Sequence, residues 1–513
     1  MKPPSLPPES ESVWIATTPK TAYPSLDRDL TVDVAIVGGG LTGLVAAWQL
    51  SEAGRSVAVL EMRRIAGAET GHTTAHLTEE VDTRYKTITK DFGRGAARQV
   101  AASSRDAIAW IERRAQVLGI DCGFERLPGY LYSEREADLD RLREEMAYAR
   151  RAGVQVSFTR EIPLPFRTAG GLRFDAQAQF HPRAFLLPLA ERLRARGVGI
   201  YESTAVTSVT DGEPCRVETA RGIVTARHVF VAANVPVNNR VALITKLPAY
   251  RTYAIGVRLA GAAPHGLFWD TDDPYHYTRT QQTAEGPVVI VGGEDHKTGT
   301  EPDTEARFRT LATWASARLP VERVDYRWSG QIIEPVDGLP YIGLNTASEH
   351  VHVATGYSGN GMTFGVLAGL MTSAAILGRP NPYGALYDAT RFTPRASLKD
   401  YVVENLDFPK YVLRDRLTNA DAERGDPADV RAGDGRILVV DGRKYAVCRT
   451  PAGELHTLSP VCPHMQCDVS WNRAEGTWDC PCHGSRFTAS GEVLNGPAVS
   501  SLEPLDLPAA KAR

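Results

Sequence analysis

Val34-Ala35-Ile36-Val37-Gly38-Gly39-Gly40-Leu41-Thr42-Gly43 is the stretch on which the reading of this chain turns. Four apolar residues make a buried strand that runs directly into a glycine-rich turn. A helix follows to Gly54, and a second strand, Val57 to Leu60, ends at Glu61. Gly38 permits the tight turn, Gly40 lets the backbone approach a pyrophosphate, and Gly43 lets helix and strand pack closely. The free N–H groups of the helix N-terminus offer partial positive charge to phosphates. Glu61 lies 18 residues beyond Gly43, placed to accept hydrogen bonds from an adenosine ribose. A lone G-x-G-x-x-G is weak, and its bland reading is a turn with no ligand. Here strand, helix and acidic residue agree, so the unit reads as a dinucleotide site.

The rest of the chain is read outward from this unit. Its 513 residues suffice for two or three domains, and the net charge of -3 argues for no nucleic-acid partner. No run of 18 apolar residues is present, so no membrane span is expected. The opening MKPPSLPPESESVW lacks an apolar signal region, which makes a cytoplasmic location the default expectation. Residues 1–31 are Pro- and Ser-rich and are expected to drape over the surface as an N-terminal extension. Helical patterns occupy roughly 93–118, 135–152, 183–197 and 303–318, the last with Phe308, Leu311 and Ala315 on one face. Strand-like runs interleave at His228 to Ala233, Val288 to Gly292 and His352 to Ala354, giving an α/β body over 32–392 with a second sheet. A charged connector follows at 393–432. From 433 to 513 the chain reads as all-β, opening with a hairpin whose Asp441-Gly442 suits a type I′ turn.

Four of the seven cysteines crowd near the end: Cys462, Cys467, Cys480 and Cys482. A disulfide scaffold would spread its cysteines over a small secreted chain; this clustering reads as a metal site. The pattern Cys462-Pro463-His464, fifteen residues, Cys480-Pro481-Cys482-His483 is C-x-H-x15-C-x-x-H. Zinc also takes two thiolates and two imidazoles, but zinc fingers pair cysteine with cysteine. A Rieske centre instead holds one iron by two thiolates and the other by two imidazoles. Residues 433–507 resemble Rieske proteins, with Cys480 to Ser485 and the Asn495-Gly496-Pro497-Ala498 loop as close matches. The resemblance implies that Cys462, His464, Cys480 and His483 are ligands, and that Cys467 and Cys482 form a disulfide pinning the loops. It implies a hydroxyl from Ser485 to a cluster sulfide. Phe487 stands where high-potential relatives carry tyrosine, so a potential between theirs and that of plant-type ferredoxins is expected.

Residues 12–392 resemble FAD-dependent oxidoreductases of the D-amino-acid oxidase and glycine oxidase type. The matching stretches after Glu61 are Gly67 with Gly71-His72-Thr73-Thr74-Ala75-His76, Glu202 to Val206, Trp328-Ser329-Gly330-Gln331 with Pro335 to Gly343, and Gly356 to Thr363. The implied class is a Rossmann-like FAD-binding domain with a second mixed-sheet substrate domain. FAD contacts are implied for Gly38, Gly40, Leu41, Thr42, Gly43, Glu61, Met62 and Arg63. They are implied further on for Thr73, Thr74 and Val206, and for the flavin loop Gly359, Asn360, Gly361, Met362 and Thr363. Thr73-Thr74-Ala75-His76 also fits the spelling by which some members attach FAD covalently; a loop histidine near phosphates or solvent is the favoured reading of His76.

No catalytic residue is assigned. Arg251, Tyr253, His276, Tyr277 and Arg279 fall in the region that lines the family's substrate cavity, where an arginine would clamp a carboxylate, yet a surface or core role is favoured for each. Taken together, the two cofactors imply oxidation of an amine or amino acid on FAD. Electrons then leave singly through the cluster to a carrier protein or quinone. The rival expectations are an electron-transfer protein without its own small-molecule substrate, or a redox sensor. No Asp-x-x-His-x4-His spacing for a mononuclear iron is present, and there is no second G-x-G-x-x-G for a nicotinamide.

Overall fold

A computed structural model of the chain describes residues 4–237, 241–394, 396–397 and 422–508. The strand Leu30–Val37 sits in the middle of an eight-stranded sheet, parallel to Ile223–Val231 on one side and Val57–Leu60 on the other. Strands covered on both faces have no polar side to show, which is why Val34 to Val37 and Val57 to Leu60 are continuous apolar runs. Helix Leu41–Glu52 covers one face and is itself covered by helix Gly361–Ile376. The two helices meet at Gly369, where a Cβ would lie 2.8 Å from the Thr42 carbonyl oxygen and from Val45 Cβ.

A nine-stranded sheet forms the second layer, ordered from Val321–Ile333 through Ala249–Leu259, Gly286–Lys297 and His276–Thr283 to Glu125–Ser133 and Gly170–Gln179. Helix Thr304–Arg318 packs on it through Phe308, Leu311 and Ala315, all fully buried, as the sequence period requires. The segment Tyr85–Leu118 is two helices that meet at a kink, because Gly93, with φ 89° and ψ 168°, lies outside helical geometry; the second of them is the helix expected from residue 93.

The N-terminal extension does not merely drape. Ser12 caps a short helix, Val13–Ala16, whose Val13 and Trp14 are fully buried. The Trp14 indole donates to the Thr73 carbonyl at 2.6 Å, and Glu202 accepts from the Tyr23 N–H at 3.0 Å. A buried indole and a buried carboxylate thus fasten residues 12–23 to the body; Pro and Ser content alone hid this.

The C-terminal part holds two four-stranded sheets. Gly435–Val440 and Arg443–Arg449 form the expected hairpin, with Asp441 at φ 46° and Gly442 at φ 81°. Its first pairing lies before residue 433: Glu423–Arg424 runs parallel to Gly435–Val440. Most of the connector expected at 393–432 lies outside the described residues. No helix among the described residues is long and apolar enough to cross a membrane.

Candidate redox site

A cavity lies between the two large sheets, lined by the glycine loop Gly38 to Thr42 and by residues of the second sheet such as Thr252 and Tyr277. Gly38, with φ +108°, passes so close to the neighbouring strand that a Cβ would lie 2.4 Å from the Ala232 oxygen. At Gly43 a Cβ would sit 2.0 Å from the Gly38 oxygen. These contacts leave the N-terminus of helix Leu41–Glu52 facing the cavity with Gly40, Leu41 and Thr42 on its wall. Glu61 also lines the cavity, its carboxylate accepting from the Gly39 and Arg63 N–H groups at 2.8 Å each. Burial pushes the Glu61 carboxyl up, and those two N–H groups oppose it. Met62, Thr73, Thr74 and Val206 complete this end, with Gly359 to Met362 beyond them.

Three expected contacts do not line the cavity. Gly43 acts through close packing, and Arg63 accepts from the Ser203 N–H at 3.0 Å through its backbone oxygen. Thr363 is fully buried, and its hydroxyl accepts from the Thr78 N–H at 3.1 Å, which anchors the segment that follows Gly359. His76 is not a solvent-side loop residue but starts strand His76–Leu77 on the cavity wall. Its ring lies 5.5 Å from that of Trp269 and 5.9 Å from that of Tyr277. Burial, helped by Arg279, pushes its pKa down to about 3, so it is neutral near pH 7.

Of the five residues named for the substrate region, only Tyr277 lines the cavity. Arg279 is fully buried and donates to the Ala75 and Phe180 carbonyls at 2.8 and 3.2 Å, bracing the strand that carries His76. Tyr253 meets His296 Nε2 at 2.9 Å. His276 is held between Asp270 at 2.9 Å and Glu294 at 3.4 Å; burial disfavours its charge, but the two carboxylates prevail and raise its pKa to about 9. Sequence reasoning missed Asp82, Thr252, Trp269 and Tyr275, which do line the cavity. Asp82 sits in an irregular stretch with no motif around it, so no sequence signal marks it.

In the C-terminal part, Cys462 and Cys480 are buried free thiols that hydrogen-bond to each other. The rings of His464 and His483 lie 5.0 Å apart, and burial lowers both pKa values, keeping the imidazoles neutral. Cys467 and Cys482 are joined by a disulfide with Cα atoms 6.5 Å apart, which ties the two loops together and removes both from the ligand set. The Ser485 hydroxyl bonds the Cys462 sulfur and accepts from the Ala498 N–H at 3.0 Å. Two thiols and two neutral imidazoles converging from cross-linked loops fit a [2Fe-2S] cluster held by Cys462, Cys480, His464 and His483.

The two sites share a wall. Val493 to Gly496, Ala498 and Val499, from the cluster-bearing part, line the cavity that Gly38 to Thr42 open. Gln331 lines the cavity and donates at 2.7 Å to the carbonyl of Gly484, the neighbour of His483. Asn495 donates to Glu69 at 2.8 Å. Behind them, Glu475 bonds Arg251 at 2.5 Å and also bonds Arg486, whose Nε meets Asp479 at 3.0 Å. Arg251 is therefore a clamp between domains, not a substrate ligand. Burial works against the Glu475 charge, but Arg251 and Arg486 bring its pKa down to about 2.

This fold and its two adjoining sites define a flavoenzyme body carrying a Rieske iron–sulfur domain. The chain belongs to the FAD dependent oxidoreductase family, whose model matches residues 33–375, and a Rieske [2Fe-2S] domain matches 423–506. Its cofactors are FAD and a [2Fe-2S] cluster. It is similar to the putative Rieske 2Fe-2S iron-sulfur protein YhfW of Bacillus subtilis, 30% identical over 97% of this chain and 98% of that one. It is also similar to the γ-glutamylputrescine oxidoreductase of Escherichia coli, 27% identical over 76% of this chain and 92% of that protein. In fold it is similar to the glycine oxidase of Geobacillus kaustophilus, with TM-score 0.62 and 20% identity, covering 71% of this chain and 99% of that one.

Proposed function

We propose that this protein oxidises a C–N bond of an amine or amino acid on FAD and passes the electrons singly through its cluster to an external acceptor, a carrier protein or a quinone. The observation that carries this reading is the shared wall: residues 493–499 of the Rieske domain close the cavity that the glycine loop opens. Bound FAD supplies a two-electron acceptor for hydride, and the cluster supplies a one-electron exit. The chain's own residues do the rest. Gly38 to Gly43 and the helix behind them hold the pyrophosphate. The N-terminus of helix Gly361–Ile376 offers N–H groups to negative charge developing at the loop before it. His76, Trp269, Tyr275 and Tyr277 exclude water from the reacting carbon. Gln331 spans from the cavity wall to the backbone beside His483. The action of the E. coli relative on γ-glutamylputrescine supports a C–N donor.

An anaerobic screen of amines and amino acids, following flavin absorbance and the cluster's EPR signal together, tests the proposal. The expected result is flavin bleaching followed by cluster reduction at a rate independent of protein concentration. Bleaching with a cluster that stays oxidised, or reduction only by a reduced ferredoxin, overturns it.

A further inference from the structure

The substrate end of the cavity is electrostatically one-sided. Among the described residues that line the cavity there is no lysine and no arginine. None of the nearby guanidiniums lines the cavity: Arg251 pairs with Glu475, Arg279 with three backbone carbonyls and Gln281, and Arg84 with Glu80. His76, the histidine among the aromatic rings, is neutral.

Negative groups are present and under-used. Glu61 is occupied by two N–H groups, and Glu69 by the Gln331 N–H and the Asn495 amide. Asp82 differs from both. Its Oδ2 accepts from the Gly359 N–H at 2.7 Å, and its Oδ1 has no hydrogen-bond partner among the described residues. The side chain is open to cavity space beside the flavin loop. A second carboxylate stands close by. Asp295 bonds Thr252, whose hydroxyl lies 2.7 Å from that of Tyr277, and both of those residues line the cavity. The Oδ1 of Asp295 is buried and has no partner. Aromatic faces complete the pocket: Tyr275 and Tyr277 lie 5.6 Å apart, and the Tyr275 hydroxyl is 3.1 Å from where a Cβ on Gly359 would sit.

We infer that the substrate is an alkyl amine lacking an α-carboxylate, bound as its ammonium by Asp82 beside the contacting pair of rings Tyr275 and Tyr277. This rests on the C–N oxidation reading above and narrows it. An ammonium supplies the donors that the free carboxylate oxygens lack, and giving one proton to Asp82 leaves the neutral amine whose nitrogen lone pair the loss of hydride from its carbon to FAD requires. An α-amino acid would bring a carboxylate into a space with no guanidinium among the described lining residues to pair it and the Asp82 carboxylate against it. Its ammonium gains the same contacts, so the carboxylate decides.

The test uses the holoenzyme without oxygen and matched pairs that differ only by the carboxylate: 1,4-diaminobutane with ornithine, and n-propylamine with 2-aminobutyrate. Flavin bleaching gives the rate, and the flavin difference spectrum gives the dissociation constant. Each amine is expected to exceed its carboxylated partner by about 100-fold in rate over dissociation constant, the effect of one buried unpaired charge. Asp82→Asn, which keeps an acceptor for the Gly359 N–H, is expected to weaken amine binding by about tenfold or more while FAD content and spectrum stay unchanged. A carboxylated partner that reduces the flavin as well as its amine overturns the inference and leaves the oxidase reading standing. An Asp82→Asn protein with full FAD and unchanged amine affinity overturns it too. Reduction by neither member of any pair, with reduction by ferredoxin, overturns both.

Discussion

Glu475 carries more of this structure than its place in a loop suggests. It is buried in the Rieske domain, yet its carboxylate is shared by Arg251 of the flavin body and Arg486 of its own domain. Glu475→Gln would leave two buried guanidiniums short of a counter-charge, and a loss of about 3–5 kcal/mol in urea unfolding is expected. The pH dependence follows from the sign of the shift. A carboxyl whose folded pKa is about 2, against an ordinary 4.5, stabilises the fold above pH 4.5 and loses that contribution as pH falls toward 2. The wild-type Tm should therefore drop more steeply between pH 5 and pH 3 than that of the variant. Asp295 works the other way. Burial, with Asp82 and Glu294 adding to it and Thr252 and His276 opposing, raises its pKa to about 7. The wall behind Thr252 and Tyr277 thus gains negative charge as pH rises from about 6 to 8. Affinity for 1,4-diaminobutane should strengthen over that window, and Asp295→Asn should flatten the profile. The glycines were legible because each job excludes a side chain. Arg251 and Arg279 take the buried roles favoured for them, but their partners were not legible, because a residue's direction within a strand depends on neighbours that the local sequence does not name.

At the scale of elements, the strand–loop–helix unit from Leu30 to Glu52 could be read directly, since buried parallel strands leave long apolar runs and the turn demands glycine. Gly43→Val tests that reading. The added side chain would meet the Gly38 oxygen at 2.0 Å from its Cβ, so the protein is expected to purify with little or no FAD, measured by its absorbance near the flavin bands. The cluster loops were equally legible from cysteine and histidine spacing. Their cross-link gives a separate prediction: Cys467→Ser with Cys482→Ser should leave FAD content intact but release iron at lower temperature, followed by the EPR signal during a thermal ramp. Short elements escaped the sequence. His76–Leu77 and Glu423–Arg424 are too brief to establish any period, and each exists only because a longer strand accepts it at an edge.

On the scale of the whole molecule, the flavin body and the Rieske domain meet at a close backbone approach that no motif announced. At Gly484, with φ +75°, a Cβ would lie 2.3 Å from that of Ala249 and 2.6 Å from the Gln331 amide nitrogen. Ala249→Leu enlarges the opposite side of this contact without touching a ligand of either cofactor. Flavin reduction by substrate should proceed at the wild-type rate while cluster reduction slows, about tenfold for a modest loosening, resolved by stopped-flow absorbance and freeze-quench EPR.

Because Val493 to Val499 contribute a side of the flavin chamber, the Rieske domain is masonry, whether or not it is also wiring. A chain ended before residue 423 would be a roofless oxidoreductase rather than a compact one. Dissolved oxygen would reach its reduced flavin, and such a fragment should leak hydrogen peroxide on every turnover where the intact protein does not.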